Sequence, residues 1–513
     1  KKMRFKATLV IMLFVGFSCT EDELSLVNPN EVVIETFYQD GDELTAGVYS
    51  IYASLQAPGL WGREYFFTHD LRSDDNEAGG GQLEAPRARL LDGTNDAANA
   101  VASSVWNSFY QVILRSNAII QAGPGVEDIE ESLRTTLIAE AKFFRGMAYY
   151  ELASIWGGVP IYLEPAQTFN GFKPRSSMEE SFQQAIQDLT EAAANLPSKS
   201  ASEPGRYDRG AALAYLGRAQ MFAGNYAAAK TAFDAIVASG EYALFDEYDD
   251  NFQEEAEYGV ESVMEIGFAD VGDFNWGGYG SGDGIGNERT VRSQEYSAVG
   301  WRNLIPSLSL LEDFERVSKG DAKDDPRFAK SFFSIGDTFN NGESVLEETS
   351  VQGNTVNFEG VDQKISWRKY SIMYKTDPGG YLNTGINHRV IRYAEVLLNL
   401  AECELETGNP SAAVALLNQV RARPSVDMPP YPTANYPVST NDEVMAAIIH
   451  EKRVEMSSEQ IRNRDILRWR SEGKLSSDPI SYFVANRHEM LPIPQAEIDN
   501  NSEITQADQN PGY

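Results

Sequence analysis

The chain has 513 residues, a formal net charge of −33, 42% hydrophobic content and two cysteines. Length and apolar content support a large folded core, and length alone suggests two to four domains. The negative field excludes nucleic acid and anionic lipid surfaces as partners and disfavours strongly anionic ligands.

Lys1, Lys2, Arg4 and Lys6 precede an apolar run from Ala7 to Phe17, followed by Ser18, Cys19 and the acidic Glu21, Asp22 and Glu23. A basic start, a short apolar stretch and a small residue describe a secretory signal. The run is too short for a bilayer span, which needs about 20 residues. A cysteine at the cut predicts a bacterial lipoprotein: residues 1–18 are the signal, Cys19 carries the lipid, and residues 19–35 form a polar tether. With Cys19 lipidated, Cys403 has no disulfide partner, and its helical setting makes it a small buried hydrophobe.

Helical periodicity dominates the chain beyond the tether. Leu133 to Ile155 and Ser177 to Leu196 form one expected pair of helices, and Gly157-Gly158-Val159-Pro160 reads as a helix stop. In 211–239, Ala212, Tyr215, Leu216, Ala219 and Ala223 line one helix face, Gly224-Asn225 breaks it, and Tyr226, Ala229, Phe233, Ile236 and Val237 line the next. Residues 392–423 repeat the plan, with Gly408-Asn409-Pro410 as the turn and Pro424 as the end. Small residues set against large ones in paired helices predict tetratricopeptide-like units. Between them lie other textures. Residues 58–96 and the Pro-rich 425–440 read as loops, the latter exposed. Residues 267–300 are rich in glycine, and 330–375 read as short strands and loops. The fold class expected is mostly α, a helical-repeat scaffold with a loop-rich, short-stranded insertion. Trp106, Trp156 and Trp469 fall in helical patterns and are expected in the core.

Several motifs, in this order, resemble the SusD/RagB family of surface glycan-binding lipoproteins. They are Ala139-Glu140-Ala141-Lys142-Phe143-Phe144-Arg145-Gly146 with Trp156-Gly157-Gly158-Val159-Pro160, and Leu304-Ile305-Pro306-Ser307 with Asp325-Pro326-Arg327-Phe328. Ile391-Arg392-Tyr393-Ala394-Glu395, Glu451-Lys452-Arg453-Val454-Glu455 through Arg468-Trp469, and Gln509-Asn510-Pro511-Gly512-Tyr513 complete the set. The resemblance covers nearly the whole chain after Cys19. It implies an N-terminal helical half over 36–265 and a C-terminal half over 266–513, with the ligand-bearing insertion at 266–385. It also implies display on the outer membrane over a SusC-like TonB-dependent barrel. Glu451, Arg453, Glu455, Arg462, Arg392 and Glu395 read as ion pairs that serve the fold.

No catalytic constellation emerges. His69, His388, His450 and His488 lack zinc-motif spacing, and no nucleophile elbow or phosphate loop is present. Asp74-Asp75 could in principle serve a glycosidase, but adjacent loop carboxylates are better read as solvated or as a structural calcium set; no metal or cofactor is otherwise expected. Binding remains. Tyr and Trp faces suit the C–H faces of sugars, and Arg, Asn and carboxylates suit paired hydroxyls. Trp61, Tyr65, Phe66, Arg72, Asp74, Asp75 and Asn76 cluster in one expected loop; Trp276, Tyr279, Tyr296 and Trp301 cluster in or beside the glycine-rich one. The resemblance points to the same two regions. The expected ligand residues are therefore Trp61, Tyr65, Arg72, Asp75, Asn76, Trp276, Tyr279, Tyr296 and Trp301. The expected activity is capture of oligo- or polysaccharide for delivery to the barrel. The alternatives are peptide capture by the same architecture and a surface glycoside hydrolase.

Overall fold

The computed structural model describes residues 38–165, 171–272, 274, 288–377 and 382–513. Cys19, the tether and most of the glycine-rich stretch lie outside the described residues. Helix α1 (Gly41–Leu55) starts at Asp40, whose carboxylate accepts the Glu43 N–H at 2.9 Å. Helix α2 (Glu64–Asp70) follows, then α3 (Ala100–Ala122), whose first amides are held by the Asn99 side chain. The repeat pairs are α4 (Glu131–Trp156) with α5 (Met178–Asn195), α6 (Arg209–Phe222) with α7 (Tyr226–Ser239), and α8 (Tyr393–Glu406) with α9 (Pro410–Arg421). Helices α10 (Asn441–Met456) and α11 (Arg462–Ser471) close the chain of long helices. Reciprocal capping boxes at Ser177/Glu180 and Thr440/Glu443 start α5 and α10 and satisfy amides that helix geometry leaves free.

The pairs pack in sequence, α3 on α4, α5 on α6, α7 on α8, and α8 on α10, which is the stacking of a tetratricopeptide-like scaffold. Small residues set the helix spacing. A Cβ on Gly146 of α4 would lie 2.9 Å from Leu189 Cγ of α5, and one on Gly217 of α6 would overlap the Phe233 ring of α7. The helix stop expected at 157–160 is present: Gly157 ends α4 at φ +78°, a value that favours glycine.

Short strands accompany the helices, and each sheet among the described residues has two strands. Strand β1 (Asn76–Ala78) pairs antiparallel with β3 (Leu304–Pro306), and β2 (Ser262–Ile266) pairs with β6 (His388–Arg392). Strand β4 (Phe332–Phe333) pairs with β5 (Ser366–Trp367). One hydrophobic cluster runs from Leu44 to Ile493 and includes Trp106, Trp156, Trp469 and Cys403. Two loop readings need correction. Residues 58–96 contain α2 and a second helix, Ala85–Leu91, because Leu60, Trp61, Tyr65, Phe66 and Leu90 are drawn into the core. Residues 425–440 form no helix or strand but are partly buried: Val426, Met428 and Tyr431 are enclosed, and the Tyr431 hydroxyl donates to Glu451 at 3.0 Å.

A layer of buried charge crosses this core. Glu455 accepts from Arg392 (3.1 Å), Arg423 (2.9 Å) and Arg327 (3.1 Å), and Glu451 accepts from Arg327 (2.5 Å) and Arg421 (3.0 Å). Glu459 pairs with Arg392 and Lys369, and Glu395 with Arg218. Burial pushes the Glu455 carboxyl up, but Arg423, Arg392 and Arg327 outweigh it and hold it well below the usual range. Charge in such an interior persists only with its partners in place. The ionic motifs on α10 and before α8 thus serve the fold, in line with the expectation from their sequence.

Candidate functional site

The first expected cluster is core. Trp61 is 0% exposed and Tyr65 1%. Trp61, Tyr65 and His69 recur every four residues, so they share one face along α2 and the turn before it. The Trp61 and Tyr65 rings lie tilted against each other at 4.1 Å, His69 meets Tyr65 edge-on at 4.5 Å, and Trp61 and Tyr65 both edge against Phe109 of α3. The Tyr65 hydroxyl donates to Glu151 at 3.0 Å, beside donors from Tyr215 and Arg464. Burial, then Arg464, pulls the His69 ring well below its ordinary pKa and keeps it neutral. Trp61 and Tyr65 therefore present no face to a ligand. Phe66 is equally enclosed and packs on Tyr296.

Asp75, Asn76 and Tyr296 are corrected for the same reason. Asp75 is buried against Arg453 Nε at 3.0 Å. Asp74 pairs with Arg462 at 2.7 Å and Arg453 at 2.9 Å, so the two carboxylates are neither solvated nor free for a cation. Asn76 accepts the Trp367 indole N–H at 2.9 Å. The Tyr296 hydroxyl donates to Asp70 at 2.9 Å, and burial lifts that carboxyl to about 6. Among the described residues no group of His, Cys, Asp and Glu is arranged to hold a metal ion.

Two of the described candidates keep contact with solvent. Arg72 is half-buried and lines a small cavity with Asn463, Arg470, Tyr482 and His488; its Nη1 has no hydrogen-bond partner among the described residues. Burial lowers its pKa. Trp301 is half-buried, and the Arg63 guanidinium sits 5.9 Å from its ring centre. Arg63 is in turn held by Glu295 at 2.7 Å. Sequence reasoning passes over Arg63, although it stands in the Trp61-Gly62-Arg63 run at the start of α2.

The ends of the glycine-rich stretch are anchored beside this pair. The Ala269 N–H donates to Glu288 O at 2.6 Å, and Asp270 pairs with Arg289 at 2.9 Å. The Val291 N–H donates to Gly62 O at 3.4 Å, next to Arg63. Trp276 and Tyr279 lie between these anchored ends, outside the described residues. The structure thus joins Trp301, Arg63 and both feet of the aromatic-bearing stretch.

Comparison with known proteins places this architecture. A sequence model of the SusD family matches residues 260–513, and one described as starch-binding associating with outer membrane matches residues 84–221. The chain is 27% identical to SusD-like protein P2 of Formosa agariphila, across 99% of this chain and 100% of that protein. A crystal structure of a SusD superfamily protein from Bacteroides vulgatus superposes with a TM-score of 0.77 at 23% identity, covering 93% of this chain and all of that one. A laminarin-binding SusD-like protein superposes with a TM-score of 0.73 at 26% identity, covering 93% of this chain and 100% of that one. With its stacked helical pairs, its buried ionic layer and matches that run nearly end to end, the chain belongs to the SusD/RagB family.

Proposed function

We propose that the protein captures oligo- or polysaccharide at the outer face of an outer membrane and passes it to a SusC-like TonB-dependent barrel. The lipid on Cys19 holds it there. The observation that carries the reading is Trp301, half-buried and backed by Arg63, beside the anchored feet of the stretch that bears Trp276 and Tyr279. An indole face covers the C–H face of a sugar ring. The laminarin-binding relative and the starch-binding family description support a glycan as ligand. The net charge of −33 favours a neutral glycan over an anionic one.

An open platform buries only part of its ligand, so the expected Kd is micromolar to millimolar, about −8 to −4 kcal/mol. A glycan array identifies the ligand, and isothermal titration of parent and Trp301→Ala follows. Trp301→Ala loses about 1 kcal/mol or more while melting like the parent. Equal affinity of the two proteins removes Trp301 from the site, and binding of peptides but no glycan overturns the reading. Cys19→Ala releases the protein from the membrane fraction; a variant that stays membrane-bound has another anchor.

A further inference from the structure

A cleft of about 130 Å³ opens between residues 199–208 and the segment from Tyr258 to Glu265. Trp301 and Arg63 are not among its walls. Tyr258 lines it and is 38% exposed. The backbone of Tyr258 sits at φ +55°, the left-handed region that bulky side chains avoid. Its surroundings hold it there. The Tyr258 N–H donates to Glu265 Oε1 at 3.0 Å, and the ring packs over Gly205, where a Cβ would come 3.5 Å from the tyrosine hydroxyl. Backbone strain maintained in this way concentrates at binding sites.

The charged groups of the cleft are mostly satisfied already. Lys199 Nζ donates to the carbonyls of Gly259 (2.7 Å) and Ser262 (2.6 Å). Arg206 Nε donates to Glu140 at 2.8 Å, and Asp208 accepts from the Tyr242 hydroxyl at 2.8 Å. Three groups are left over. They are the Tyr258 ring, the buried Ser202 hydroxyl, which has no partner among the described residues, and the exposed Glu203 carboxylate, which makes no ion pair among them. An apolar ring face, one hydroxyl and one acceptor for paired hydroxyls form the recognition set of a neutral sugar. The volume is well below the roughly 300–1,000 Å³ of pockets for larger ligands, so it suits one ring.

We propose that this cleft binds a single neutral sugar residue, a chain end or a branch, apart from the platform at Trp301. The proposal rests on reading the protein as a carbohydrate binder. The test puts parent, Tyr258→Ala, Tyr258→Phe, Glu203→Gln and Trp301→Ala on a glycan array, then titrates the glycan that the parent binds, with melting curves for each protein. Tyr258→Ala and Glu203→Gln are expected to weaken one binding event about tenfold. Tyr258→Phe keeps the ring and retains it, and Trp301→Ala leaves this event in place. If the parent binds glycan and both Tyr258→Ala and Glu203→Gln match it, the cleft is overturned while the platform stands. If the parent binds no glycan, both fall together. Should Tyr258→Ala unfold, Glu203→Gln decides alone, because its side chain is exposed and parent-like binding by it overturns the cleft.

Discussion

Glu455→Gln tests the buried ionic layer most directly. One oxygen of Glu455 accepts from Arg392 and Arg423, and the other from Arg327. A glutamine has one acceptor and one NH2 donor. Whichever way it turns, the amide hydrogens face at least one guanidinium, and three arginines lose a neighbouring negative charge. A charge-assisted hydrogen bond is worth about 1.5–3 kcal/mol, and removing one partner of a buried pair costs about 3–5 kcal/mol. Arg392, Arg327 and Arg423 keep Glu459, Asp325 and Glu261 as partners, so the loss should fall within that range and not exceed it. Urea unfolding followed by circular dichroism and tryptophan fluorescence measures it. Arg89→Ala is the control: its pair with Asp96 is about half exposed on both sides, and its loss should be no more than about 1 kcal/mol. A Glu455→Gln protein within about 1 kcal/mol of the parent, at unchanged denaturant slope, refutes the argument.

His450 gives the layer a pH signature. Burial opposes its charge, but hydrogen bonds to Asp313 and Glu315 lift its pKa to about 9. Because this lies above the unfolded value of about 6.5, the stabilisation is complete below pH about 6.5 and is lost as pH rises through about 9. Melting curves across that window should fall for the parent and flatten for His450→Asn; parallel curves count against the assignment. Gly217→Ala places a methyl against the Phe233 ring and should cost about 1–3 kcal/mol in urea unfolding, whereas a neutral outcome means that α6 and α7 can part easily. Trp61→Ala should lower stability by about 3–5 kcal/mol, as for a core tryptophan, and a parent-like melt would return Trp61 to the surface.

The helical pairs were legible because their signal is local. Small and large residues alternate at helical spacing, and Gly224-Asn225 and Gly408-Asn409-Pro410 mark turns that the structure reproduces. The ionic role of Glu451 to Arg462 was legible because charges within an apolar helical pattern need partners. Trp61 and Tyr65 were misplaced because aromatic density looks the same in a core and on a platform. The spacing Trp61, Tyr65, His69 was the available clue to a buried helix face, but α2 has only seven residues and Gly62 interrupts its approach. Asp74 and Asp75 carried no such clue, since their partners Arg453 and Arg462 lie far along the chain. Trp301 and Arg63 meet through tertiary structure alone.

The same long reach of the charge pairs bears on when the chain can fold. Asp75 waits for Arg453 across 378 positions, and Glu151 for Arg464 across 313. Until α10 and α11 exist, the first helices would enclose carboxylates that have no cation, and desolvation penalises every such compact state. Contacts this distant in sequence close late. The earlier segments are thereby held back from premature collapse until the last long helices arrive.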